Sequence, residues 1–235
     1  MEELAKLAKL TFNVPYVDYT ITVHSATILT SWAVMALMFI VGWLSVRHLK
    51  QIPDRRQVVL EMLIRSFDET IRESIGEDGR KFIPFIATLF VYILLSNWAS
   101  LIPRVQSPTA DLNTCLGLGV LVLIVAHIYA IRKKGLFKYI KAYFEPAWYL
   151  FPANVFSEVS KTLSHSFRLF GNIFAGGLLV ALVPYLLMRL FDWWGVGLGI
   201  VLMPVLNGFF GLFIGAVQAL VFALLAVAYI GVLSQ

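Results

Sequence analysis

The 235-residue chain is 59% hydrophobic and 14% charged, with a mean hydropathy of +0.80, values that exclude a soluble globular domain. Its net charge of +5 is carried by short basic blocks between long apolar runs, which is how a membrane protein fixes its orientation rather than how a protein grips nucleic acid. One cysteine, Cys115, excludes an internal disulfide, and no Cys/His pattern offers a metal site.

The opening MEELAKLAKL mixes both charges and lacks the basic start, apolar core and cleavage site of a secretory signal. A retained external tail over residues 1–20 is expected. A first apolar run, 21–46, is closed by Arg47-His48-Leu49-Lys50 and is long enough to cross roughly 30 Å of hydrocarbon. Over 53–81 the pattern changes: Leu60, Ile64, Phe67, Ile71 and Ile75 recur every three to four residues among charges, predicting an amphipathic helix on the membrane surface. A soluble helical hairpin packed on a partner is the alternative.

Two further spans, 82–102 and 112–131, flank PRVQSPTAD, and a basic block from Arg132 to Lys141 follows. Thirteen Lys/Arg fall in the loops 47–81 and 132–141, against Lys6, Lys9 and Arg104 in the segments on the other side. The positive-inside rule therefore places the N-terminus outside and those loops in the cytoplasm. Two long apolar stretches, 153–190 and 196–233, are separated by DWWG. At about 1.5 Å per residue each exceeds the hydrocarbon thickness, so they must tilt, kink or protrude. The fold predicted is an all-α integral membrane protein with about five membrane-spanning helices plus one amphipathic surface helix, forming a single transmembrane domain whose last two spans (153–235) make a tilted hairpin. An odd number of spans puts the C-terminus in the cytoplasm.

The polar residues within these spans are not scattered. On the fourth, Lys161, His165, Arg168 and Asn172 recur at helical spacing, with Ser157, Glu158 and Ser164 beside them. On the fifth, Asn207, Gly211, Gly215, Gln218 and Tyr229 make a second stripe. Small and polar residues can serve simply to join helices in a membrane. Arg168 is different, because a guanidinium at mid-span costs at least about 2.5–3.5 kcal/mol and no acid lies on these faces except Glu158, nearly three turns away. A cation without a counter-charge on its own chain invites a partner that carries a carboxylate.

RLFGNIFAGG, SPTADLN, the KKG turn after the third span and GAVQALVFALLAVAY, in that order, resemble the a subunit of F-type ATP synthases over nearly the whole chain from the first span on. The resemblance implies a bacterial inner-membrane subunit whose partners are a c-ring, peripheral stalk b subunits, the remaining subunits including the catalytic head, and membrane lipid, with no nucleic acid and no cofactor. Arg168 would be the stator arginine facing the c-ring carboxylate, with Gln218 beside it and Asn172 in the channel leading to it. Asp111 would stand near the external entrance, although an acid there also suits a helix start. Asn207, Ser164, Glu158, His165, Gly177 and Gly211 would complete the half-channel lining.

The chain departs from well-known bacterial members at two positions, where Gly177 stands for a glutamate and Gly211 for a histidine. Either water fills the space the glycines leave, or the transported ion is Na+. Protons are the expected ion on family grounds. His165, one turn before Arg168, is either a proton relay or a hydrogen-bonded packing group. An intramembrane lipid-modifying enzyme would need clustered acids or a nucleophile and base, and many secondary transporters carry internal repeats; neither pattern is present. No nucleotide-binding loop occurs, so ATP chemistry would belong to other subunits.

Overall fold

The computed structural model describes residues 9–13, 20–47, 55–102, 105–144 and 147–234. The first elements are two short strands, β1 (Lys9–Asn13) and β2 (Thr20–His24), paired antiparallel with Lys9 opposite His24 and Asn13 opposite Thr20. The first span consequently starts later than the apolar run implies. Thr20-Ile21-Thr22-Val23 is a β-branched alternation that suits a strand better than a helix, and α1 runs over Ser25–Arg47. Most of its apolar side chains are exposed, and its Arg47 guanidinium sits 4.8 Å over the Trp43 ring.

The amphipathic helix α2 (Arg55–Ile75) divides along its length. Phe67, Ile71 and Ile75 are buried, whereas Leu60, Met62 and Ile64 are exposed. Its C-terminal half thus packs on protein, Phe67 meeting the Phe90 ring edge-on at 5.4 Å. Gly76 then turns the chain at φ +90 into a 3-10 turn, Glu77–Phe82. Two ion pairs clamp that corner, Arg80 to Asp68 at 3.1 Å and Arg72 to Glu77. The hydrogen-bonded Arg80 guanidinium holds the Asp68 carboxyl below its usual range. The sign follows: this surface pair is complete above the ordinary aspartate pKa and is lost as pH falls through the lowered value.

Helices α3 (Ile83–Trp98) and α4 (Leu112–Lys134) form the expected hairpin, with a short 3-10 turn, Pro108–Ala110, before α4. Gly135, at φ +83, ends α4 and admits the short helix α5 (Leu136–Tyr143). The long C-terminal stretch begins as α6 (Phe151–Asn207), which folds back at Asp192, where φ is 46 and ψ −124. A π-helical segment, Gly208–Ile214, leads into α7 (Gly215–Ser234). Among the described residues four continuous apolar helical stretches are therefore long enough to cross a membrane, the last of 87 residues; the turn at Asp192 divides that one, giving five spans.

Both arms of this hairpin reach about 60 Å at 1.5 Å per residue, twice the hydrocarbon thickness. They run antiparallel in a register that side-chain pairs mark along the whole length: Pro184 against Gly199, Gly176 against Phe210, Asn172 with Gln218, His165 on Phe222 and Glu158 with Tyr229. At the centre of the bundle α7 buries Ala219, Phe222, Ala223, Ala226, Val227 and Ile230 against α2, α3, α4 and α6. Alanines on that helix let four neighbours approach at once.

Candidate functional site

Arg168 lies on the outer face of α6. Lys161, Ser164, Asn172, Ala175 and Leu179, which follow the same helical stripe, are exposed with it, while Leu169 and Ile173 on the opposite side are buried. Among the described residues Arg168 makes no hydrogen bond or ion pair. The surface around it is apolar and uncovered: Phe167, Phe174, Leu178 and Leu182 are all at least half exposed. The guanidinium therefore stands on a hydrocarbon-like face with its charge uncompensated by any of the described residues.

Asn172, one turn on, donates from Nδ2 to Gln218 Oε1 at 2.7 Å, tying α6 to α7 beside Arg168. Gln218 is 4% exposed and its Nε2 has no partner. A buried amide donor left free is costly, so this N–H pair is poised for an acceptor from outside the chain or from water.

On the side of α5, a cavity of 520 Å³ reaches Arg168. His165, Ser164, Lys161, Ser157 and Tyr229 line it. Just outside the cavity's Lys161–Tyr229 mouth, Glu158 accepts from Lys161 Nζ at 2.9 Å and from the Tyr229 hydroxyl. Glu158 is thus compensated locally and does not serve as the counter-charge of Arg168. His165 packs edge-on against the Phe222 ring at 3.9 Å, and its Nε2 is buried without a partner. Next to this mouth Tyr143 bridges Tyr139 (2.8 Å) and His127 (3.4 Å), and Asn154 Nδ2 donates to the Tyr143 carbonyl at 2.8 Å. Burial, with the Tyr143 hydroxyl beside it, pushes the Tyr139 hydroxyl well above the usual tyrosine range, so it remains a neutral hydrogen-bonding group.

The stripe on the fifth span does not stay together. Gly215 faces α3 and Gly211 the turn that follows it, whereas Gln218 and Tyr229 face α6. The π segment is the physical reason, because an i→i+5 turn inserts extra backbone and breaks the 3.6-residue repeat between Asn207 and Gln218. Two donors from α3 fasten it, Trp98 Nε1 to the Leu212 carbonyl at 3.2 Å and Asn97 Nδ2 to the Gly215 carbonyl at 2.8 Å. Asn97 also accepts from Thr109 Oγ1 at 2.6 Å, Ser107 Oγ lies 2.7 Å from Thr109 Oγ1, and Ser107 donates to the Ser96 carbonyl at 2.6 Å. This buried network is missing from the sequence reading. Its signal was present as Ser96-Asn97 at the end of an apolar span and the hydroxyls of SPTAD.

The two glycines differ. A Cβ on Gly177 would meet open space, but one on Gly211 would fall 2.7 Å from Leu101 Cδ2 and 3.2 Å from Ser100 Oγ. Leu101 therefore occupies the room a larger side chain would take, and of these two glycines Gly177 is the one with open space beside it. Asp111 caps α4, its carboxylate accepting from the Asn113 amide at 3.0 Å. Asn207 is half-buried at the start of the π segment.

Comparison with known proteins sharpens this picture. Residues 28–231 match the family described as ATP synthase A chain. The chain is 38% identical over 205 residues to ATP synthase subunit a of Moorella thermoacetica, covering 87% of this chain and 88% of the relative. It is 36% identical to ATP synthase subunit a 1 of Crocosphaera subtropica (88% and 85% covered) and 40% identical to the chloroplastic ATP synthase subunit a of Stigeoclonium helveticum (89% and 84%). With its apolar helices, its hairpin longer than the bilayer and a match spanning all five spans, the chain is a multi-pass membrane protein of the F-type ATP synthase a-subunit family.

Proposed function

We propose that this chain is the ion-conducting stator of a rotary ATP synthase, with Arg168 as its fixed charge and two offset half-channels delivering protons to and from c-ring carboxylates. The observation that carries this reading is a single one: Arg168 stands unpaired on an exposed apolar face. A cation so placed is satisfied only by a carboxylate brought to that face by a partner within the membrane. The c-ring is that partner. Peripheral stalk b subunits and the catalytic head complete the assembly, in a bacterial inner membrane with the N-terminus outside and the C-terminus cytoplasmic.

Arginine stays protonated at any relevant pH. A ring carboxylate arriving opposite Arg168 is stabilised as an anion and gives up its proton. Leaving that charge for lipid, the carboxylate must first be neutralised. The cavity lined by Lys161, Ser164, His165 and Tyr229, with Glu158 bonded to Lys161 and Tyr229, supports a cytoplasmic half-channel. On the other side, the opening at Gly177, the Asn172–Gln218 pair, Asn207 and Asp111 mark the external route. Arg168 between them blocks a direct leak, so an ion crosses only by riding the ring. Each elementary charge then gains about 2.3 kcal/mol per 100 mV, available as torque.

ATP-driven uptake into vesicles containing the assembled complex, with and without Na+ and an uncoupler, tests the ion. Acidification that needs no Na+ and collapses with the uncoupler is expected. Sodium uptake that survives the uncoupler would replace protons by Na+ in this mechanism.

A further inference from the structure

A second cleft lies away from the ion path, where the start of α3 meets the end of α4, and has a volume of 470 Å³. Lys81, Arg132 and Lys133 converge on it, with Asp78 as the one acid in its wall. Among the described residues none of the three cations forms an ion pair. The Lys81 and Lys133 ammonium groups lie 4.5 and 6.0 Å from the Tyr129 ring centroid, on the cleft's inner wall. Tyr129 is only 6% exposed, and its hydroxyl is buried with no hydrogen-bond partner.

The requirements of such a site are specific. A buried O–H donor needs an acceptor, and three converging cations around it favour an anion with several oxygens. Below the basic rim the wall is Val125 and the half-exposed Ile128, on the outward side of α4 within its membrane span. A free phosphate would use the cations and leave that apolar wall unused. A phospholipid uses both, placing its phosphate among the cations and an acyl chain along α4. Orientation-setting charge explains basic residues at this depth, but not a cleft with a buried, unpartnered hydroxyl.

We propose that this cleft, formed by Lys81, Tyr129, Arg132 and Lys133, binds the phosphate of an anionic phospholipid. The Tyr129 hydroxyl donates to a phosphate oxygen, and the acyl chain packs on Val125 and Ile128. Occupancy would pin the corner between the α2 turn and the α3–α4 hairpin from the lipid side.

The test uses the assembled complex in nanodiscs of phosphatidylcholine doped with phosphatidylglycerol, with native mass spectrometry counting the anionic lipid retained. Lys133→Ala and Tyr129→Phe are each expected to lower its apparent affinity about tenfold, the loss of one hydrogen bond to a charged group. Lys138→Ala, which removes the same charge in α5 outside the cleft, is expected to leave it unchanged. Equal retention in Lys133→Ala and Lys138→Ala would overturn the proposal. So would displacement of the lipid by excess inorganic phosphate, which would mark a free-anion site instead. Should Lys133→Ala impair assembly, Tyr129→Phe, which keeps charge and shape, decides alone.

Discussion

Arg168→Lys is expected to abolish coupled ATP synthesis and ATP-driven pumping while leaving the complex assembled. Lysine keeps the formal charge, so a mechanism needing only a positive residue would survive the change. The proposed one would not. The lysine ammonium is a compact point charge that can deprotonate when desolvated, whereas the guanidinium is always charged and presents a planar fork to a carboxylate. Once the fixed cation is lost, the ring carboxylate faces an apolar surface on which an anion costs at least about 2.5–3.5 kcal/mol. In rate terms that is roughly a hundredfold or more. Because Arg168 makes no hydrogen bond or ion pair among the described residues, the fold should tolerate the change. Synthesis and pumping measured in vesicles, with assembly checked by co-purification, give the readout; coupled synthesis near the wild-type rate would remove Arg168 from the mechanism.

Gly195→Ala is expected to have the second-largest effect, through structure rather than charge. A Cβ at Gly195 would fall 1.9 Å from the Leu187 carbonyl oxygen and 2.4 Å from its carbon. Those are backbone atoms of the facing arm and cannot swing aside. The turn at Asp192 would have to open, and the displacement would run down the hairpin through Pro184 and Gly199 toward the Asn172–Gln218 bond. Overpacking of this kind costs about 1–3 kcal/mol, with the backbone clash placing it at the upper end. Gly197→Ala is the control, since a Cβ there meets nothing within 4 Å and alanine is the better helix former. Thermal unfolding of the two purified variants should show Gly195→Ala destabilised and less coupled, and Gly197→Ala at least as stable as the parent. Equal melting of both would mean that the hairpin tip is looser than its packing indicates.

Much of this architecture is legible in the sequence because it follows from composition and local period. Five spans, the amphipathic α2 and the long hairpin broken at DWWG follow from apolar run lengths and spacing. Arg168 stands out because an unpaired guanidinium in an apolar run is costly wherever the chain folds. What periodicity could not give is packing between distant segments. Asn97 reaches the Gly215 carbonyl across 118 residues and Trp98 the Leu212 carbonyl across 114, and these contacts explain how the π segment is held. The π segment itself is invisible to a 3.6-residue template and redirected half of the polar stripe on the fifth span. Gly211 looked like vacant space because a small residue stood where a larger one was expected. Leu101, just after α3 at the end of the second apolar run, fills it instead. Likewise β2 was absorbed into the first apolar run, since Thr20 to Val23 is β-branched but nearly as hydrophobic as the helix that follows.

The face bearing Arg168 is expected to touch a partner carrying the carboxylate. Cysteine placed at Ser164 or Ala175, exposed on either side of Arg168 along one stripe, should form a disulfide with a cysteine engineered beside the essential carboxylate of the c subunit. Cysteine at Leu169 or Ile173, buried on the opposite side, should not. With Cys115 replaced by alanine to remove the native thiol, cross-linked a–c product from the first pair alone is the expected result. Absence of that product from both exposed positions in an assembled complex would contradict the account.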